Sequence, residues 1–211
     1  SISAESISFK PEEEKLLLAD EVFNKLSQKH YVQEWEDGFN YKYIEYLIDE
    51  LDGDKRYFTK SEVARFLNSA KYFNNSKHEF DLKAAYKIIN LYFNRLIEFS
   101  EYQIKLIKKE DFSFDGSDFL DIYAEDNVWQ ASKSSLKKLW KQITKNDLLT
   151  SQLAEESDED SIENIKKRYT NRIRRITQRK DGDIFSIAMS SLTSQFDPHS
   201  TYFSPRSAED F

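Results

Sequence analysis

Apolar side chains recur at three- and four-residue intervals through most of this chain, which is the period of a helix with one buried face. Leu16, Ala19, Phe23 and Leu26 carry the pattern in a first helix that opens at Pro11, with Glu12, Glu13 and Glu14 in its first turn. Acids there suit the positive end of the helix dipole. Tyr43, Ile44, Leu47, Ile48 and Leu51 predict a second helix starting after Asn40. Thr59 with Glu62 forms a capping box for a third, which carries Val63, Phe66 and Leu67. The longest helix is expected over 80–109. Its stripe runs through Ala85, Ile88, Ile89, Tyr92, Phe93, Leu96, Phe99, Tyr102 and Leu106, wide enough to serve two neighbours.

The period lapses over residues 111–131, which read as a long irregular surface connection. It resumes at Ser132 through Leu136, Leu139, Trp140 and Ile143. Glu155, Glu156, Asp158, Glu159 and Asp160 read as an exposed acidic linker feeding a helix from Ser161 to Lys180. Gly182 is expected to end that helix and Asp183 to cap the last complete one.

The chain's punctuation agrees with this. Its three prolines (Pro11, Pro198, Pro205) stand near the ends, so residues 12–197 lack the strongest helix breaker. The four glycines fall where periodicity lapses. The expected fold is all-α, a multi-helix domain of about six to eight helices. Residues 1–195 would form the helical domain. Residues 196–211 would hold an Asp-Pro turn and the opening of a helix capped by Ser204 with Pro205 at its first position. So short a helix cannot stand alone, so function is expected to depend on residues downstream of Phe211.

Composition narrows the function classes. A net charge of −7 argues against a general nucleic-acid binder. No apolar run is long enough to cross a bilayer. No signal-peptide pattern stands at Ser1, so any export signal would precede this sequence. The absence of cysteine excludes disulfides and thiolate metal sites and fits either an oxidising or a reducing compartment.

No catalytic residue and no cofactor is assigned. His199 beside Asp197 invites a base–orienter reading, but neighbours in a Pro-containing turn rarely make such a pair, and no G-x-S-x-G elbow is present. Asp197, Pro198 and His199 instead form a turn, with Tyr202 and Phe203 pinning it and Ser204-Pro205 opening the next helix. A related order stands earlier at Leu51-Asp52 and Tyr57-Phe58-Thr59, for which recurring turn chemistry is favoured over an internal duplication. His30, His78 and His199 show no metal-ligand spacing. Asp49, Asp52, Asp54 and Glu62 fail the calcium-loop frame around Gly53, because Ile48 and Thr59 fall where acids belong; no metal site is predicted.

Two surfaces remain as partner candidates. Lys166 to Lys180 holds eight cations and no acid, interleaved with the stripe Ile162, Ile165, Tyr169, Ile173 and Ile176. Arg168, Arg172, Arg175 and Arg179 line one flank, open to solvent, to intramolecular acids, to another protein or, least in keeping with the chain's charge, to nucleic acid or membrane. Tyr41, Tyr43 and Tyr46 occupy different faces of one helix and offer a groove for an extended peptide.

Several strings resemble one family. The helix Ile184-Phe185-Ser186-Ile187-Ala188-Met189 followed by Phe196-Asp197-Pro198-His199-Ser200-Thr201-Tyr202-Phe203-Ser204-Pro205-Arg206 is similar to the approach to the PDZ and protease domains of bacterial tail-specific (carboxy-terminal processing) proteases. Lys167-Arg168-Tyr169, Ile173-Arg174-Arg175-Ile176, Lys29-His30-Tyr31 and the stretch from Tyr46 to Asp52 closing on Tyr57-Phe58-Thr59 extend the resemblance, weakest over residues 110–160. It implies a periplasmic parent with a Ser nucleophile, a Lys base and a PDZ domain that engages apolar protein C-termini, none of them in this sequence. This chain would then help build a substrate-enclosing vault or dock an adaptor. The competing reading is a stand-alone helical protein-binding scaffold.

Overall fold

A computed structural model describes residues 5–29, 38–71, 80–109, 127–154 and 158–196. Seven helices lie among these residues: α1 (Glu13–Lys29), α2 (Phe39–Asp52), α3 (Lys60–Lys71), α4 (Leu82–Lys109), α5 (Lys133–Leu153), α6 (Asp158–Thr177) and α7 (Asp181–Phe196). The all-α expectation holds. No strand forms among the described residues beyond one isolated parallel bridge between Thr59 and Gln130. Among them, no helix is long and apolar enough to cross a membrane.

Local chemistry sets the helix ends. Ser132 caps α5, its Oγ accepting from the Ser135 amide at 3.1 Å. Asp81 caps α4 by accepting from the Ala84 amide at 3.1 Å. Gly38 precedes α2 with φ at +87°, a left-handed conformation that costs a side-chain-bearing residue free energy.

Several expected boundaries move: α1 begins at Glu13 rather than Pro11, and α2 at Phe39 rather than after Asn40. Glu159 and Asp160 lie inside the first turn of α6, not in a linker, because helix N-termini favour acids. Gly182 does not end α6, which already stops at Thr177; it lies within the first turn of α7. Asp183 acts from the third position of α7, its Oδ2 accepting from the Lys180 amide at 2.7 Å, which is the reciprocal arm of a capping box.

The chain divides into two compact units. One comprises residues 8–53, 61–92 and 179–211, and so contains α1, α2, nearly all of α3, and α7, with the N-terminal part of α4. Its core is aromatic at one end, where Phe23 lies 4.8 Å from Phe39 and Tyr43 meets Phe80 edge-on at 4.6 Å between ring centres. Ala19, Ile44, Leu47, Ile184, Ala188 and Leu192 fill the rest and are almost fully buried. Asn90 holds the backbone of Phe9 through both amide atoms, at 3.3 Å and 2.7 Å.

The other unit comprises residues 1–7, 54–60 and 93–178, and is built on α5, α6 and the C-terminal part of α4. Phe99, Leu136, Trp140 and Ile143 form one cluster, and Ile107, Leu148, Ile165 and Tyr169 form a second. Phe99 pairs with Trp140, Gln103 with Thr144, and Ile107 shares a cluster with Leu148, so α4 and α5 run parallel. Residues 54–60 lie against them. The Trp140 indole donates to the Arg56 carbonyl at 2.7 Å, and buried Arg95 donates to that of Tyr57 at 2.7 Å. Asn127 to Gln130 are tied to the same strip. Asn127 Nδ2 donates to the Asp54 carbonyl at 2.7 Å, and the Lys60 backbone amide donates to the Gln130 carbonyl at 2.8 Å.

Candidate functional site

The polar centre of the α4–α5–α6 unit is organised by Arg172. Its Nη1 donates to Gln103 Oε1 at 2.9 Å and to Ser100 Oγ at 3.1 Å, and its guanidinium lies over the rings of Tyr169 (5.1 Å) and Phe99 (5.3 Å). Gln103, Ser100 and Thr144 are fully buried. Gln103 Nε2 donates to Thr144 Oγ1 at 3.1 Å, and that hydroxyl donates to the Trp140 carbonyl at 2.7 Å. A guanidinium held by neutral acceptors and two ring faces is a packing device.

One turn away, Tyr169 donates its hydroxyl to Asp147 Oδ2 at 2.6 Å, and Arg168 Nη2 reaches the same oxygen at 3.0 Å. Burial, and then the Asp147 carboxylate, push the Tyr169 phenol far above its usual range. It therefore stays protonated and acts as a donor.

The four arginines proposed as one flank have separate fates. Arg172 turns into the helix interface, because it follows Tyr169 by three residues and precedes Ile176 by four, which puts it on the buried stripe. Arg168 is half-exposed beside Asp147. Arg175 is exposed. Arg179 lies beyond the end of α6 and belongs to the other unit. Ile162, placed on the apolar stripe from the sequence, is 40% exposed.

The three tyrosines of α2 also separate. Tyr43 is a core residue and not a surface one; it is fully buried, and its hydroxyl donates to the Ala188 carbonyl at 2.9 Å. Its phenol is raised by burial, then by Glu50 and Asp81. Tyr41 is half-buried with the Lys71 ammonium 5.5 Å over its ring. Tyr46 is half-buried and shares Glu50 with Ser191, whose Oγ donates to Oε2 at 2.9 Å. The hydrogen bond that Tyr46 itself makes with Glu50, more than burial, raises its phenol.

The turn residues Asp197, Pro198, His199, Tyr202, Phe203, Ser204 and Pro205, and all three histidines, lie outside the described residues. The earlier corner of related order is described: Phe58 is fully buried, and Tyr57 packs on Phe99 at 5.6 Å. Among the described residues, no three acidic or imidazole side chains gather as a metal ion requires.

Sequence comparison gives this architecture its place. Residues 22–206 match the family described as the tail specific protease N-terminal domain. The chain belongs to that family. A curated tail-specific protease from Haemophilus influenzae is 30% identical over 203 residues, covering 94% of this chain and 29% of that relative. This tail-specific protease N-terminal domain thus spans under a third of the length of the relative it matches. The match runs through all the helices from α2 to α7, so both helical units belong to the family's domain. Sequence reasoning missed the Arg172–Gln103–Thr144 centre. Its one signal was a cation in register with an apolar stripe.

Proposed function

We propose that this chain is the non-catalytic N-terminal domain of a periplasmic carboxy-terminal processing serine endopeptidase, and that it forms part of the wall enclosing the protein substrate. The parent would engage apolar substrate C-termini through its PDZ domain and cleave with a Ser/Lys pair, both outside this chain. The observation that carries the reading is how the polar groups of the two units are used. Asp147 holds Tyr169 and Arg168, Glu50 holds Ser191, Asp81 and Asp183 cap helices, and Arg172 holds Gln103 and Ser100. A catalytic nucleophile needs a base within reach that is not already committed to packing. The match to an N-terminal domain family supports the same division of labour.

The test compares the full-length parent with a form lacking residues 1–196, using a short peptide and a folded protein that both end in apolar residues. Hydrolysis of the peptide should stay within about threefold, whereas cleavage of the protein should fall by about tenfold or more. Equal loss on both substrates, or hydrolysis of the peptide by the 211-residue chain alone, would sink the reading.

A further inference from the structure

Helix α6 contains a seven-residue repeat that the buried core does not require. Asn164-Ile-Lys-Lys-Arg-Tyr-Thr170 is followed directly by Asn171-Arg-Ile-Arg-Arg-Ile-Thr177, so both heptads read Asn, two residues, a cation, Arg, a buried residue and Thr. The buried members are Tyr169 and Ile176, 0% and 4% exposed. The Asn and cation positions all fall on the opposite, solvent-facing side, where Asn164, Lys167, Arg168, Asn171, Arg174 and Arg175 share one open face of the helix.

Among the described residues, few acids offset this stripe. Arg168 has Asp147 at 3.0 Å, and Lys167 has Glu163 one turn before it on the helix. Arg174 and Arg175 have only Thr, Asn, Gln or Arg at three or four residues to either side. Clustering like charges on one face raises the free energy of the isolated chain, and an anionic partner removes that cost.

We propose that this stripe docks an acidic helix of another protein, with Asp or Glu repeated at seven-residue spacing. The period selects a helix as the occupant. A side-by-side helix stays in register with a seven-residue repeat, and Asn at recurring seam positions fixes that register. From Asn164 to Arg175 the stripe is about 16 Å long, which is three turns of a partner helix. The exposed guanidinia of Arg174 and Arg175 can each take a carboxylate through two N–H groups. A bilayer is the poorer fit. The stripe has no apolar anchor, and Ile162, the exposed large apolar residue on α6, lies outside it.

The inference does not rest on the parent's activity and is tested on the 211-residue chain itself. The probes are a four-heptad, alanine-based helical peptide with a Glu pair in every heptad, a peptide of equal charge and helicity with irregular Glu spacing, duplex DNA, and phosphatidylglycerol vesicles. The regular peptide should bind about tenfold tighter than the irregular one and weaken steeply with salt. Arg174→Ala/Arg175→Ala should lose that binding while circular dichroism stays unchanged, whereas Lys137→Ala/Lys138→Ala on α5 should keep it. Arg174→Glu/Arg175→Glu should instead bind a peptide with Lys at the same heptad positions. Equal binding of the two Glu peptides, tighter binding to DNA or vesicles, self-association through the stripe, or no binding at all would each overturn the proposal.

Discussion

Truncating Arg172 to alanine tests whether the polar centre of the α4–α5–α6 unit holds its three helices together. The change removes hydrogen bonds of 2.9 Å and 3.1 Å and leaves Gln103 Oε1 without this donor in a fully buried position. An orphaned buried acceptor costs about 1–3 kcal/mol. Each of the two ring contacts, at 5.1 Å and 5.3 Å, adds about 0.5–1 kcal/mol, and the lost aliphatic stem adds packing. Because these terms overlap, the expected total is about 3 kcal/mol. Arg175→Ala, on the exposed face of the same helix, should cost no more than about 0.5 kcal/mol. Urea unfolding followed by far-ultraviolet circular dichroism measures both.

A double-mutant cycle sharpens the result. Gln103→Leu with Arg172→Met replaces both partners by apolar groups of similar size, so the pair should cost at least about 1 kcal/mol less than the sum of the singles. Additive costs, or an Arg172→Ala protein within about 1 kcal/mol of the unaltered chain, would show that the network does not stabilise the unit.

Further outcomes concern the α1–α2–α7 unit and its tyrosines. Tyr43→Phe removes the buried 2.9 Å bond to the Ala188 carbonyl and should cost about 1 kcal/mol by urea midpoint; no change would mean that the carbonyl is satisfied without it. Gly38→Ala places a side chain at φ +87° and should cost about 1–2 kcal/mol, whereas d-Ala at the same position, installed by chemical ligation, should cost less. Tyr86 is buried with no hydrogen-bond partner for its hydroxyl among the described residues, so Tyr86→Phe should leave the midpoint unchanged or raise it. Burial is the first cause raising the phenols of Tyr43, Tyr86 and Tyr169. Their neutral forms are favoured in the fold, while unfolded tyrosine ionises near pH 10, so their contribution is complete below about pH 10 and declines above it. The urea midpoint should therefore fall between about pH 8 and pH 11 and fall less in Tyr169→Phe. Equal drops in both proteins would remove Tyr169 from the account.

Much of the fold was legible because helical period and capping are local. Helix α5 begins where the period resumes at Ser132, and six of the nine residues in the stripe expected over 80–109 are buried, with Tyr92, Leu96 and Tyr102 partly exposed. Asp183 reads as a cap from the sequence, and only its position within the capping box differs. The candidate surfaces were less legible. Arg168, Arg172 and Arg175 are alike as residues, yet one pairs with Asp147, one enters the core and one faces solvent. Arginine's long stem lets it satisfy any of these environments, so residue type alone does not select among them. Tyr43 and Tyr46 likewise differ in burial because α7 covers one side of α2, a contact between segments about 145 residues apart.

The sequence by itself determined the helices, most of their ends and the family, since each rests on spacing within a few residues or on strings that can be matched directly. The tertiary structure decided that α4 and α5 lie parallel, that residues 54–60 and 127–130 join them, and that Arg172 belongs to the interior. The physical reason is range. A capping bond joins neighbours, whereas the Trp140 indole and the Arg56 carbonyl are 84 residues apart and meet only when the chain has folded around their shared core.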